Sequence, residues 1–200
     1  MVSPSRRGLT PDQVLGHAQK LQGGLDVLVG VVTAEQGAGL EPLWGPVGAA
    51  LARLPDCDVI ADCGRIGADG PHYDMLAYAS SVVLVTRASL EEVVRLRDRV
   101  AAVTSALGLR HRQGIPLGVM VVADHRRFHA AMTETGQALG PGGASRILGG
   151  LAYEPKAAEA LGGDQRGHLG RSLLLRTARD LAGRLARSLA PDVAAPAGRG

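Results

Sequence analysis

The residues with the clearest chemical potential lie in the stretch 58–67, DVIADCGRIG. An apolar run there ends in the carboxylate of Asp62, and Gly64 follows two residues later. A carboxylate at the carboxyl end of a buried parallel strand lies beside the crevice in which α/β proteins bind ligands. Strands of this kind carry the magnesium-handling carboxylate in many nucleotide-hydrolysing folds, which makes Asp62 a candidate for that role if a phosphate-holding loop accompanies it.

A magnesium–nucleotide site also needs a loop that holds the phosphates, and the sequence lacks one. In the pattern G-x-x-x-x-G-K-[ST], glycines let backbone N–H groups surround the phosphates, and the lysine neutralises their charge. The only lysines are Lys20 and Lys156, and neither follows this glycine spacing. The nearest substitute, residues 27–42 (VLVGVVTAEQGAGLEP), contains no lysine and no correctly placed Ser or Thr.

The composition limits the other classes of function. The chain has 200 residues, enough for one domain with a sizeable core, and only 2% of them are aromatic. This argues against base-stacking platforms for nucleic acid. The longest apolar run, SSVVLVT, is too short to span a membrane, and no secretory signal is evident. We therefore expect a cytoplasmic protein whose two cysteines, Cys57 and Cys63, stay reduced.

The elements that would position such a site follow from hydrophobic patterning. Strands are predicted at residues 25–32, 58–63, 81–86 and 117–122, with a short last strand within 146–155. Helices are predicted at residues 9–24, 40–54, 89–107, 125–139 and 167–189, with a further short helix within 64–79. Thr10 is the predicted N-cap of the short helix within 9–24, and Ser89 is the predicted N-cap of the helix at 89–107, where Glu92 completes a capping box with Ser89.

Apolar strands that alternate with helices predict an α/β fold with three α/β/α layers and a mostly parallel sheet. We expect a single domain over residues 1–190, followed by a flexible tail at 191–200 that is polar and contains Pro and Gly.

Three segments, in this order, resemble the ParA/MinD family of P-loop ATPases, which position chromosomes, plasmids, division sites, flagella and pili. They are residues 56–67 (DCDVIADCGRIG), 75–100 (MLAYASSVVLVTRASLEEVVRLRDRV) and 147–161 (ILGGLAYEPKAAEAL). The closing helix, residues 171–189, is similar in character to the family's terminal helix. The resemblance covers residues 24–189.

This resemblance implies roles for particular residues. Asp62 would contact magnesium through water, and Gly64 would be the switch glycine near the γ-phosphate. Asp124 stands where members usually have an asparagine that reads an adenine edge, and an ionised aspartate cannot donate a hydrogen bond. The loop containing Tyr153, Glu154 and Pro155 would pass near the base.

The resemblance also implies that a block is missing, namely the first strand with its phosphate loop and helix, and the second strand. The fold would be P-loop NTPase-like but incomplete. The missing first strand belongs between strands 58–63 and 81–86. Three interpretations stay open: the two strands close up on each other, another chain fills the slot, or the chain is a shortened copy of a complete ATPase.

The functional expectation is a non-hydrolysing scaffold or partner-binding module that helps to position a chromosome, a septum, or a pilus or secretion apparatus. A protein partner or a second copy would be bound, and no cofactor is expected. The alternative is the carboxy-terminal part of a ParA/MinD-type ATPase, whose ATP and Mg²⁺ would require the missing loop.

The carboxy-terminal helix offers a possible contact surface for nucleic acid or anionic membranes. A leucine stripe runs beside six arginines: Arg166, Arg171, Arg176, Arg179, Arg184 and Arg187. Such a face could contact DNA phosphates or anionic lipid. The favoured interpretation is that the leucines pack on the sheet and the arginines face solvent.

Overall fold

The computed structural model describes residues 9–21, 24–30, 39–67, 72–110, 115–162 and 169–189. The chain divides into two compact units, Met1–Ala79 with Ala102–Ile115, and Ser80–Ala101 with Pro116–Gly200. The predicted tail at 191–200 lies outside the described residues.

The first unit begins with a helix that is shorter than predicted. Helix α1 spans Pro11–Leu15, and Thr10 caps it in a capping box with Gln13. The prediction that this helix continues to residue 24 is wrong, because the chain turns into β1 (Gln19–Lys20), which pairs antiparallel with β2 (Asp26–Val27). Lys20 Nζ and Asp26 Oδ1, which lie on the two paired strands, form an ion pair of 3.2 Å.

Of two predicted strands in the first unit, one is not formed and the other is formed only in part. Residues 58–63 adopt no strand, and Ile60 is 95% exposed. Of the predicted buried strand 25–32, only Asp26–Val27 is extended and paired, while Leu25 is 64% exposed and residues 31 and 32 lie outside the described part. A continuous apolar run forms a buried strand only where neighbouring strands and helices cover it, and no described strand pairs with residues 58–63.

Two short helices pack closely in the first unit. After a 3₁₀ turn at Glu41–Leu43, α2 spans Trp44–Leu51, and α3 spans His72–Leu76. A Cβ atom added at Gly48 would lie 2.9 Å from the carbonyl oxygen of Met75. The backbones of α2 and α3 can therefore approach this closely only because residue 48 has no side chain.

The second unit contains the predicted parallel sheet. Strands β3 (Val82–Arg87), β4 (Leu117–Ala123) and β5 (Ile147–Ala152) are parallel and lie in the order β3-β4-β5. The helices that follow these strands are α4 (Leu90–Arg110), α5 (Phe128–Ala138), α6 (Gly143–Arg146), α7 (Pro155–Leu161) and α8 (Leu173–Leu189). The part of α4 from Ala102 onwards belongs to the first unit. The α/β class and its three last strands are confirmed.

Helices lie on both faces of β5. A Cβ atom at Gly149 would meet Leu181 of α8 at 2.8 Å, and one at Gly150 would meet Phe128 of α5 at 2.9 Å. Successive residues of a strand face opposite sides of the sheet, so the two helices cover opposite faces. The second unit is therefore layered helix–sheet–helix at this strand.

Helix α8 also closes the outer edge of β5. The backbone N–H of Ala152 donates to Thr177 Oγ1 at 3.1 Å, and Arg184 Nη1 donates to the carbonyl oxygen of Leu148 at 3.2 Å. The predicted helix 167–189 is interrupted, since a 3₁₀ turn at Leu169–Arg171 precedes Ser172, which caps α8. Among the described helices, we find none with the length and apolar character needed to cross a membrane.

Replacing the buried hydroxyl at this edge tests the closure. We expect Thr177→Val, which keeps the side-chain shape, to lower the free energy of unfolding by about 1–3 kcal/mol, because the buried N–H of Ala152 loses its acceptor. Urea unfolding followed by circular dichroism measures the loss, and amide exchange at Ala152 should accelerate. Thr104→Val makes the same change at an exposed position of α4 and should have little effect. Equal urea midpoints for Thr177→Val and wild type would contradict this account of the edge.

Candidate functional site

A cleft lies at the carboxyl ends of the three parallel strands in the second unit. Its volume is about 350 Å³. Five polar or aromatic residues line it, Arg87, Ser89, Asp124, Arg127 and Tyr153, together with a floor of Ala88, Val122, Ala123 and Ala131. Open α/β sheets bind ligands at this end, so we call these nine residues the carboxyl-end cleft and treat it as the candidate site.

The strand register places Arg87 and Tyr153 on the cleft together. Arg87 ends β3 opposite Val122, and the Tyr153 N–H donates to the carbonyl oxygen of Ala123 at 2.9 Å just beyond β5. The Arg87 guanidinium carbon lies 5.3 Å from the centre of the Tyr153 ring, a cation–π contact. Within the described ranges, Arg87 has no ion pair with a carboxylate, so its charge remains available to a ligand.

Asp124 and Arg127 lie on the turn that follows β4. Asp124 Oδ1 accepts the backbone N–H of Arg126 at 2.8 Å, which caps the 3₁₀ turn His125–Arg127. Arg127 Nη2 lies 3.8 Å from Glu134 Oε1, and both side chains are more than 60% exposed. An exposed pair at this distance binds weakly, so Glu134 does not neutralise Arg127 strongly.

The first turn of α4 completes the cleft. As predicted, Ser89 is its N-cap, with the Glu92 N–H donating to Ser89 Oγ at 3.4 Å. The positive end of this long helix therefore reaches the cleft. Glu91 and Glu92 in the same turn partly offset it, although Arg95 pairs with both, at 2.5 and 3.8 Å.

Glu154 turns away from the cleft and holds the start of α8. Its Oε2 accepts the N–H of Leu174 at 3.0 Å and the hydroxyl of Ser172 at 2.8 Å, and Ser172 Oγ accepts the N–H of Leu175 at 3.2 Å. These contacts lower the pKa of Glu154, the Leu174 N–H most and the Ser172 hydroxyl next. Glu154 also borders a separate pocket of about 250 Å³ with Lys156. Its carboxylate therefore has a structural use in this chain.

Asp62 and Gly64 lie in the first unit, where Asp62 caps its own turn. Asp62 Oδ1 accepts the N–H of Gly64 at 2.9 Å, and Gly64 has a φ of +56°. Burial raises the pKa of the neighbouring Cys63 thiol, and the charge of Asp62 raises it further, so this thiol is not activated. Among the residues that the structure describes, no group of three or more His, Cys, Asp or Glu side chains could hold a metal ion.

The structure thus brings two of the six predicted site residues together. Asp124 and Tyr153 share the carboxyl-end cleft, whereas Glu154 caps α8 and Pro155 begins α7. Asp62 and Gly64 belong to the other unit. No finding tests nucleotide or magnesium binding by these six residues, which stays a prediction.

Sequence reasoning did not single out Arg87 and Arg127 as site residues. Arg87 directly follows the predicted strand 81–86, and Arg127 lies five residues after the end of the predicted strand 117–122. Cationic residues shortly after parallel strands are a usable signal, because ligands bind at the carboxyl ends of such strands.

Comparison of the chain with protein-family models, with curated proteins and with solved structures gave no match. The resemblance to ParA/MinD proteins therefore rests on the sequence segments alone.

The Glu154 contacts predict a specific pH dependence. A carboxylate whose pKa is lower in the folded chain stabilises it at pH values above the ordinary value of 4.5, and this contribution disappears as the pH falls through the lowered value. We expect Glu154→Gln to be less stable than wild type near neutral pH, and the difference to shrink as the pH falls below 4.5.

Thermal unfolding at several pH values measures this dependence. Glu159→Gln, an exposed position on α7, is the matched control and should follow wild type throughout. If the stability difference between Glu154→Gln and wild type stays constant down to the most acidic pH, the carboxylate charge of Glu154 is not the cause of that difference.

Proposed function

We propose that this chain is a ParA/MinD-like domain that does not hydrolyse ATP by itself. It would act in the cytoplasm as a partner-binding scaffold that helps to position a chromosome, a septum, or a pilus or secretion apparatus. The observation that carries the proposal is the outer edge of β3, to which no described strand is hydrogen-bonded.

The order of elements in the second unit supports the P-loop NTPase-like part of the proposal. A Val-rich strand, a helix with a Ser N-cap, a second parallel strand and a third strand with a proline after it follow one another as the resemblance implies. Among the described strands β3 is the last at this side of the sheet, and the resemblance places the family's missing first strand beside it.

The chemistry of the β3 edge favours a partner strand. The N–H groups of Val82 and Ala88 donate to the carbonyl oxygens of Pro116 and Val122, on the β4 side. Because backbone groups alternate along a parallel strand, those of Val83 and Val85 face the outer side. Val85 is also 63% exposed. An extended segment of a protein partner, or of a second copy, can pair with such an edge by strand addition.

The positions of the two lysines support the proposed lack of hydrolysis. Lys20 lies in β1 and pairs with Asp26, and Lys156 is the second residue of α7. Phosphoryl transfer depends on neutralising and positioning the phosphates, and neither lysine belongs to a glycine loop that could do so. ATP and Mg²⁺ would become cofactors only if a phosphate loop were supplied.

Contact with nucleic acid or anionic membrane through α8 is less favoured. Leu181 and Thr177 of this helix are buried, and Arg184 donates to the β5 backbone. The surface of α8 that remains is its solvated arginine side.

An ATP assay tests the non-hydrolysing part of the proposal. We expect the purified chain with Mg²⁺ to release no phosphate above background, and calorimetry to detect no micromolar ATP binding. Turnover that Asp62→Asn abolishes and Asp58→Asn preserves would overturn the proposal and favour the alternative of a ParA/MinD-type ATPase.

Cellular localisation tests the β3 edge. We expect a fluorescent fusion to collect at a discrete position in the native cell, and Val85→Pro to disperse it, because proline removes an outward N–H. Val85→Thr keeps that N–H and should localise like wild type. Val85→Lys is a second edge-blocking variant, in case proline disturbs the strand.

Circular dichroism of each purified Val85 variant first establishes that the variant is folded, and localisation is then compared. Folded Val85→Pro and Val85→Lys variants that localise like wild type would rule out the β3 edge as the contact.

A further inference from the structure

We infer that the carboxyl-end cleft binds a small organic anion, in which a phosphate or carboxylate group is attached to a compact planar body. This inference does not depend on the proposed function, since it uses neither the ParA/MinD resemblance nor the β3 edge. The residues that line the cleft do not include Asp62 or Gly64.

The charge of the cleft carries the first step. Arg87 and Arg127 both line it, and within the described residues the Arg87 guanidinium contacts the Tyr153 ring and has no ion pair with a carboxylate. Arg127 has the distant carboxylate of Glu134 at 3.8 Å. The one carboxylate that lines the cleft, Asp124, has Oδ1 engaged by the Arg126 N–H. Two guanidinium groups that interact only weakly with other groups of the chain can bind a phosphate or carboxylate group of a ligand.

The floor of the cleft carries the second step. The four apolar residues that line the cleft are small: three are alanines, Ala88, Ala123 and Ala131, and the fourth is Val122. A floor of this kind leaves room for a flat apolar body without offering hydrogen bonds that a polar body would need. Tyr153, which is 55% exposed and holds Arg87 against its ring, adds an aromatic wall.

The size of the cleft carries the third step. Its volume of about 350 Å³ is at the small end of the range for small-molecule sites. The ligand that satisfies charge, floor and size is therefore compact, anionic at one end and planar at the other.

Calorimetric titration of the full chain at low salt, with phenyl phosphate as the probe, tests the inference. We expect phenyl phosphate to bind more tightly than inorganic phosphate, which lacks the planar body, and than phenol, which lacks the charge. Arg87→Gln and Arg127→Gln should each weaken phenyl phosphate binding about tenfold or more, as expected for the loss of a charged hydrogen-bond donor. Arg97→Gln, which removes the same charge from an exposed position of α4, should leave the affinity unchanged.

A variant that blocks the cleft sterically provides a second test in case an arginine variant is poorly folded. Ala88 is exposed on the cleft, so Ala88→Leu fills the floor without overpacking the core and should abolish binding. No binding of phenyl phosphate by wild type would overturn the inference, and so would equal affinities for wild type and the two cleft arginine variants. Phenol or inorganic phosphate binding as tightly as phenyl phosphate would also overturn it, as would competition by ATP at equal affinity, which would make the cleft a nucleotide site.

Discussion

Each strand of a sheet has backbone N–H and C=O groups on two sides, and those at the sheet's edges need partners from outside the sheet. The second unit meets this constraint differently at its two edges. At β5, the side chains of Thr177 and Arg184 supply the missing partners, so a helix takes the place of a neighbouring strand. At β3, no strand of the described chain does so. This asymmetry links the fold to the proposed partner binding.

The closed edge also organises the region around the cleft. Ala152 is the last residue of β5, so its bond to Thr177 anchors the loop that begins with Tyr153. One residue later, Glu154 bonds to the first turn of α8 and secures the same helix that covers the strand. Two consecutive residues thus serve different purposes: Tyr153 forms a wall of the cleft, while Glu154 holds the scaffold behind it. The Ser172 and Leu174 contacts thus hold the Glu154 carboxylate towards α8, and Tyr153 is the residue of this pair that lines the cleft.

The parts that the sequence could predict are those decided by local signals. Strands 81–86 and 117–122 are rich in Val, and Ser89 with Glu92 marks the start of α4, so these elements follow from propensity and capping. Residues 58–63 have a similar apolar pattern yet form no strand, because pairing depends on neighbours that a local pattern does not reveal. The bond between Glu154 and Ser172 joins positions far apart in the chain, so the role of Glu154 could not be derived from the AYEP loop alone. The same holds for Arg87 and Tyr153, whose stacking follows from strand order.

The two glycines in the middle of β5 have a consequence for the way this unit comes apart. Gly149 and Gly150 contribute no side chains, so the packing on both faces of the strand there is supplied by Leu181 from one helix and Phe128 from the other. At these two positions the strand contributes no side-chain packing itself, so detachment of either helix exposes one face of the strand. Fraying of α8 would therefore spread into β5 and carry the aromatic wall of the cleft with it, so that ligand occupancy and the order of the carboxy-terminal helix become thermodynamically coupled.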